Sequence, residues 1–516
     1  MPKSTAERAA NWLCMPQVFN NKAWRENFWS VFRNLDEKSY LCTIAKLNQT
    51  IHMKISTLFL TAGLICSGAA TAWAQGGITP EMMKELKASY EGNATDKALQ
   101  NAIAGTEITV LATNHENQKG FDTHFTYEVK TVGVTDQHQS GRCWLFTGLN
   151  VLRAQAMKEH NIKDLHFSQC YNFFYDQLEK CNLFLQGIID TRLKPIDDKK
   201  VDWLLRNPLS DGGQFTGLSD NLSKYGVVPA EVMPETYSSN NTNTLAHLLK
   251  TKMREQALEL RALPKNTKPA EIEKIKTGML KVLYRMLALT LGEPVEQFTW
   301  TRVDSEGKIV STKEYTPQSF YAEYLGNDLT GNYVMLMNDP LREYYKLYTI
   351  DYDRHVYDGR DWVYINLPVE DIKKMGIESL KNGIKMYFSC DVGKCMDRKR
   401  GLLDVNNYDY ESLMGTTFGM NKQERVQTYA SGSSHAMTMT AVDLDAEGKP
   451  TKWMVENSWG PKSGYKGHLI MTDEWFNEYM FRLVVEKRFV PAEILKILDQ
   501  KPIQLPAWDP MFANEE

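Results

Sequence analysis

Cys143 lies in the run Gln137-His138-Gln139-Ser140-Gly141-Arg142-Cys143-Trp144. A further 291 residues separate it from His435, and Asn457 follows in Glu456-Asn457-Ser458-Trp459-Gly460. A thiol becomes a useful nucleophile when an imidazole can hold its proton and a dipole can stabilise the thiolate, and a carboxamide can then fix the ring's orientation. In that scheme Cys143 attacks, His435 carries the proton, Asn457 orients the ring, and Gln137 supplies a side-chain donor to the developing oxyanion. A lone cysteine before an apolar helix is ordinarily an inert core residue. Four coincidences argue otherwise here: a glutamine six residues before the cysteine, a tryptophan directly after it, a histidine opening a strand-like run, and an Asn-Ser-Trp-Gly turn.

These residues must be held by particular elements. After Cys143, apolar side chains fall at 145, 146, 149, 152 and 156, the spacing of a helix with one buried face. Ser140-Gly141 reads as turn and cap, so the thiol sits at the positive end of the helix dipole, a placement that lowers a cysteine pKa. His435 follows the small, flexible Ala430 to Ser434 segment and opens a strand over Ala436 to Val442. Asn457 follows the alternating run Trp453 to Glu456, and Asn-Ser-Trp-Gly reads as a β-turn whose tryptophan shields the amide's bond to imidazole.

As a set, Gln137, Cys143-Trp144, His435 and Asn457-Ser458-Trp459-Gly460 resemble the papain-type cysteine peptidases. The wider text resembles their bleomycin hydrolase and aminopeptidase C branch. That likeness runs from about residue 105 to the end. It includes Asp211-Gly212-Gly213-Gln214, Lys224 to Pro229, Cys390 to Lys394 and Leu505 to Met511. Within the superfamily the familiar run before the nucleophile is Cys-Gly-Ser-Cys-Trp; here it is Ser140-Gly141-Arg142-Cys143-Trp144. The first cysteine, a disulfide partner in papain, is absent, so that bridge is not expected. The resemblance implies an α+β papain-like fold, with a helical half carrying the nucleophile, a β-barrel-like half carrying the base, and the site in the cleft between them.

The 516 residues are 42% hydrophobic and 11% aromatic, enough to bury one large core or two. Net charge is −4 with a pI near 6.3, which gives no bulk attraction to nucleic acid. Eight cysteines stand at 14, 42, 66, 143, 170, 181, 390 and 395. If the first three are lost in processing, five remain: one free nucleophile, with Cys170, Cys181, Cys390 and Cys395 either bridged or buried and reduced. Cys390 and Cys395 lack a second pair at zinc-site spacing, so no metal is expected, and thiol acyl transfer needs no cofactor.

Met53-Lys54, the apolar run Ile55 to Cys66 and the small-residue exit ending Ala72-Trp73-Ala74 have the three parts of a secretory signal peptide. The run is too short to span a bilayer comfortably. Translation is expected to start at Met53, leaving 1–52 as a non-native leader and 53–74 as the signal. Ile65 is too bulky for a lipid-attachment site at Cys66, so cleavage is expected after Ala74. The mature enzyme would then be periplasmic or extracellular, with no stable membrane insertion.

The mature chain, 75–516, reads as one peptidase domain. Helical text occurs at 80–86 and near 97–103, and a second, aromatic helix runs through 166–176. The Cys-to-His separation is about twice the papain spacing, so something large is inserted. Residues 240–330 read as a mainly helical insertion, with a helical hairpin over Thr242 to Leu291 broken at Pro264 and Pro269. In the resembled branch such insertions make subunit contacts in a hexamer. After Asp361 shorter alternating runs take over, at 362–367, 383–389, 436–445, 452–457 and 468–471. The arm 505–516, broken by Pro506 and Pro510, reads as extended. By the resemblance it lies in the cleft, where Glu515, Glu516 and the α-carboxylate would anchor a substrate's free N-terminus. Phe512 stands where a glycine is usual.

The expected function is therefore a secreted cysteine aminopeptidase acting on peptide substrates through an acyl-enzyme, assembled as a homohexamer. Two other readings remain: a thiol amide hydrolase or acyltransferase on a non-peptide substrate, and a catalytically silent binding or scaffold protein of the same fold.

Overall fold

A computed structural model describes residues 76–90, 92–130, 133–326 and 328–512. The leader, the signal peptide, Glu515 and Glu516 lie outside the described residues. The chain falls into two compact units, Met1–Ala98 and Leu99–Glu516. In the first, helix α1 (Pro80–Ser89) starts at Thr79, whose side chain accepts from the Met82 N–H, with proline at the first helical position. Helix α2 (Ala94–Gly105) runs across the boundary.

In the second unit, α3 (Cys143–Glu159) bears the nucleophile candidate at its first residue. The one-faced pattern understates its burial: every residue from Trp144 to Arg153 is buried. The reason is that α3 packs against strand β7 (His435–Leu444) as well as against helices. Polar residues are therefore drawn inside and partnered; Asn150 donates to Thr135 Oγ1 at 2.9 Å. Helix α4 (Gln169–Thr191) is much longer than the aromatic text suggests. It is capped by Ser168, which accepts from the Tyr171 N–H, and its phenylalanines and tyrosines are core. Helix α5 (Phe215–Tyr225) packs on both α3 and α4.

The insertion supplies α6 (Thr242–Ala262) and α7 (Pro269–Leu291), antiparallel helices broken where Pro264 and Pro269 predict. Their apolar stripes close over α4. The sequence does not single out the hairpin that follows, β1 (Phe298–Val303) and β2 (Ile309–Tyr315); β2 is mostly exposed, and its Ile309 and Val310 are adjacent rather than alternating.

One continuous mixed sheet forms the other half. Its strands are β3 (Tyr333–Met337), β4 (Lys346–Ile350), β5 (Val363–Asn366), β6 (Met386–Cys390), β7, β8 (Pro450–Glu456), β9 (His468–Thr472), β10 (Met480–Glu486) and β11 (Ile503–Leu505). The order is β11-β4-β5-β3-β10-β6-β7-β8-β9, followed by two two-residue strands at 402–403 and 396–397. Strand β10 was not evident in the text, since it is buried on both faces and its apolar residues, interrupted by Arg482, show no alternation. It separates β3 from β6 and so carries the middle of the sheet. Helix α8 (Val369–Lys381) covers β7 and β10. A second core, distinct from that of the helices, lies within this half. No helix among the described residues is long and apolar enough to cross a membrane.

Candidate active site

Cys143 opens α3, but the cap residue is Arg142, which makes no side-chain capping bond. Arg142 is fully buried; it pairs with Glu235 at 2.8 Å and lies over the rings of Phe146 and Phe173. Its Nε also donates to Ser140 Oγ at 3.0 Å, so the turn before Cys143 is fixed by an ion pair rather than by a Ser-Gly cap. All five described cysteines, Cys143, Cys170, Cys181, Cys390 and Cys395, are free thiols.

His435 is the first residue of β7, paired opposite Cys390 on β6. Its Nε2 lies 2.8 Å from Asn457 Oδ1. That oxygen also accepts the Ser458 N–H at 2.8 Å, so the amide's orientation is set. Because Oδ1 only accepts, Nε2 carries the proton, and Nδ1 is the basic nitrogen of the neutral ring. Trp459 stacks on the imidazole, centroids 4.9 Å apart and planes 28° apart, and covers this bond.

Gln137 is tied to the same turn. Its backbone N–H donates to Ser458 O at 2.8 Å, and its Oε1 accepts from Ser458 Oγ at 2.5 Å. The side-chain nitrogen donates one hydrogen to Ser140 O at 2.6 Å and keeps its second. Ser458 is the link that sequence reasoning missed: a serine inside a turn motif gives no sign of reaching back 321 residues.

Cys143, His435 and Gln137 line one cavity of about 270 Å³, together with Ser140, Gly141, the segment 210–213, Tyr387, Ser389, Ser433, Ser434, Ala436 and Arg482. Asn457 lies behind His435, 1% exposed. No packed wall separates sulfur from imidazole. Tyr387 and Arg482, on β6 and β10, are not singled out by the sequence: Tyr387 lies in a run that reads only as core strand, and Arg482 in a strand the text does not show.

The electrostatics correct one expectation. Burial pushes the Cys143 thiol up to about 11, outweighing the Ala436 and Trp144 backbone N–H groups that favour thiolate. The helix start acts in the expected direction, but desolvation is larger. Burial likewise pushes His435 down to about 4, against the Asn457 bond, with Arg398 adding to the depression. Neither group ionises readily alone. Transfer of the thiol proton to imidazole leaves the pair neutral in sum, so the pair is the unit in which charge can form.

The arm packs where the two halves' residues meet. Met511 is fully buried, and Phe512 meets Trp362 edge-on at 5.2 Å. Arg482, a wall of the cavity, lies over Trp362 at 4.1 Å and over Phe512 at 5.9 Å. Asp509 pairs with Arg342. Ala507 and Phe512 line a larger cavity of about 530 Å³ that shares the 210–213 wall.

Residues 77–512 match the Peptidase C1-like family. The chain is 43% identical to the bleomycin hydrolase of Rattus norvegicus over 448 residues, which is 85% of this chain and 99% of that one. It is 40% identical to the aminopeptidase C of Lactobacillus delbrueckii subsp. lactis over 419 residues, covering 80% and 93%. The crystal structure of PepW from Lactobacillus rhamnosis superposes with a TM-score of 0.81 at 39% identity, covering 85% of this chain and 99% of that one.

Proposed function

Because the chain belongs to the Peptidase C1-like family and is a cysteine peptidase of papain-like fold, we propose that it is an exported aminopeptidase working through Cys143, His435 and Asn457. The observation that carries the reading is the 2.8 Å His435–Asn457 bond in a ring whose other nitrogen is free to serve a thiol in the same cavity.

The steps follow from the groups present. Nδ1 takes the Sγ proton as sulfur attacks the scissile carbonyl carbon, and the carbonyl π electrons move to oxygen. The second hydrogen of Gln137 Nε2 and the Cys143 backbone N–H stabilise that oxyanion. As the tetrahedral adduct collapses, imidazolium gives its proton to the leaving amine and the C–N bond breaks, leaving a thioester. Water, deprotonated by the same ring, then attacks the thioester and releases the acid and the thiol. Throughout, Asn457 keeps the ring in the tautomer that presents Nδ1.

Restriction to free N-termini rests on the arm. Phe512 packs against the Arg482–Trp362 wall, which places the described end of the arm beside the cavity. A phenylalanine in place of the usual glycine is accommodated because Trp362 and Tyr364 receive its ring. In this proposal Glu515, Glu516 and the α-carboxylate, outside the described residues, anchor the substrate's α-ammonium. The relatives named aminopeptidase C and aminopeptidase E support this direction.

The test is hydrolysis of free and N-acetylated dipeptide reporters by the full chain and by a variant ending at Phe512. The full chain is expected to prefer free amines strongly, and the truncated one to gain activity on acetylated reporters. Unchanged preference after truncation would remove the arm from the account. Export through 53–74 predicts a secreted protein beginning at Gln75, read by N-terminal sequencing; a secreted or cytosolic product beginning at Met53 contradicts it.

A further inference from the structure

Ser210-Asp211-Gly212-Gly213 is the partition between the catalytic cavity and the larger one beside it. A loop with two glycines has little stiffness of its own. Yet it lines the cavity that holds Cys143 and His435, and an acyl-transfer site can lose about 10²-fold for a misplacement of about 1 Å. The papain-type bridge at the pre-nucleophile turn is absent, and all described thiols are free, so non-covalent contacts must hold this wall.

They converge on Asp211. Its Oδ2 accepts the Gly141 N–H at 2.6 Å and the Thr242 hydroxyl at 2.5 Å. Its backbone carbonyl accepts Trp144 Nε1 at 2.9 Å. One residue thus ties the wall to the turn before Cys143, to the residue after it, and to the start of the helical insertion. The approach is possible because residue 141 is glycine: a Cβ there would lie 2.3 Å from Asp211 Oδ1. Below the loop, Lys180 donates to Ser210 O at 3.0 Å and Gly212 O at 2.6 Å while paired with Asp176 at 2.9 Å. Asp176 in turn holds His355 at 2.6 Å, and that ring meets Trp144 edge-on at 4.8 Å.

We propose that Asp211 is a positioning residue of the peptidase reaction, clamping the 210–213 wall onto the turn that presents Cys143 in the place of a covalent bridge. The inference rests on Cys143 being the nucleophile. The same carboxylate opposes ionisation of the Cys143 thiol through space. The other charged or titratable groups acting on that sulfur from neighbouring elements are Arg482 on β10, Tyr387 and Cys390 on β6, and His435 on β7.

The experiment compares Asp211→Asn, Asp211→Ala and Thr242→Val. Each is assayed for kcat and KM on a dipeptide reporter and for the pH dependence of Cys143 alkylation by iodoacetamide, mapped by mass spectrometry. Both donors meet one carboxylate oxygen, which an amide oxygen can replace. Asp211→Asn is therefore expected to stay within about 3-fold of wild-type kcat/KM while its alkylation profile moves to lower pH by about half a unit or more. Asp211→Ala is expected to lose about 10²-fold in kcat/KM and to show the same shift. Thr242→Val, which leaves the Asp211 charge in place, is expected to lose a few-fold with the profile unmoved; if Asp211→Ala does not fold, Asp211→Asn carries the test through its profile. A residue of purely structural importance would leave the alkylation profile in place. An unmoved Asp211→Asn profile, or wild-type kcat and KM in Asp211→Ala, overturns the proposal. If alkylation of Cys143 leaves peptidase activity intact, it is instead the nucleophile assignment that fails.

Discussion

Two buried groups with opposed shifts define the chemistry at the residue scale. Burial holds the His435 ring neutral down to about pH 4 and the Cys143 thiol protonated up to about pH 11. One proton is shared by the pair across that window. As pH falls through the lower value, imidazole is protonated before it can take the thiol's proton; as pH rises through the upper one, no proton is left for the leaving amine. With an N-blocked reporter and the arm-truncated enzyme, kcat/KM should be flat between these limits. With a free-amine reporter and the full chain it should fall earlier, above about pH 8, as the substrate ammonium is lost. Matching alkaline limbs for the two substrates would refute the ammonium contact. Gln137→Ala removes one oxyanion donor and should lower kcat by about 10²–10³-fold with little change in KM; a loss confined to KM would assign Gln137 to ground-state binding. Gln137, Cys143, His435 and Asn457 were legible because rare residue types stood in rare contexts. Ser458, Asp211 and Arg482 were not, since a serine in a turn, an aspartate beside glycines and an arginine in an apolar run are each common.

At the scale of elements, the site is held by a seam between α3, β8 and the start of β6. Glu456, 1% exposed and adjacent to Asn457, meets Lys385 at 3.1 Å and Arg153 at 3.6 Å. These join α3, which opens at Cys143, to the strand that runs into Asn457. Glu456→Ala would leave two buried cations without this counter-charge and should cost about 3–5 kcal/mol of stability, read as a lower urea midpoint with unchanged slope. A midpoint equal to wild type would show that water reaches the seam. Such a charge cluster cannot be read from the text, because its three members lie on elements whose apposition only the sheet order reveals. The helices of the insertion were legible from their period, and the edges of β7 and β8 from alternation. Strand β10 was hidden by burial on both faces, and the β1–β2 hairpin by a second strand that is mostly exposed.

For the whole molecule, the large insertion distinguishes this chain from a minimal papain-like peptidase. Leu258 and Leu289, on α6 and α7, are 63% and 71% exposed. By the resemblance we propose a hexameric particle, to be read by light scattering of the processed protein, which Leu258→Glu with Leu289→Glu should shift to smaller species; a monomeric wild type would contradict the assembly. The α+β class was evident from helical text giving way to strand text after residue 361. The depth at which α3 is buried was not, because a helix enclosed on all sides no longer shows its partners in its own period.

The most direct test of the account is covalent labelling by an epoxide thiol-protease inhibitor, followed by peptide mapping, in the wild type, His435→Ala and Asn457→Ala. The account predicts one label, on Cys143, with activity lost in proportion. Labelling should be slowed at least about 10²-fold without the imidazole and by less without the amide. Equal labelling rates in all three proteins, or full peptidase activity after Cys143 is modified, would contradict it.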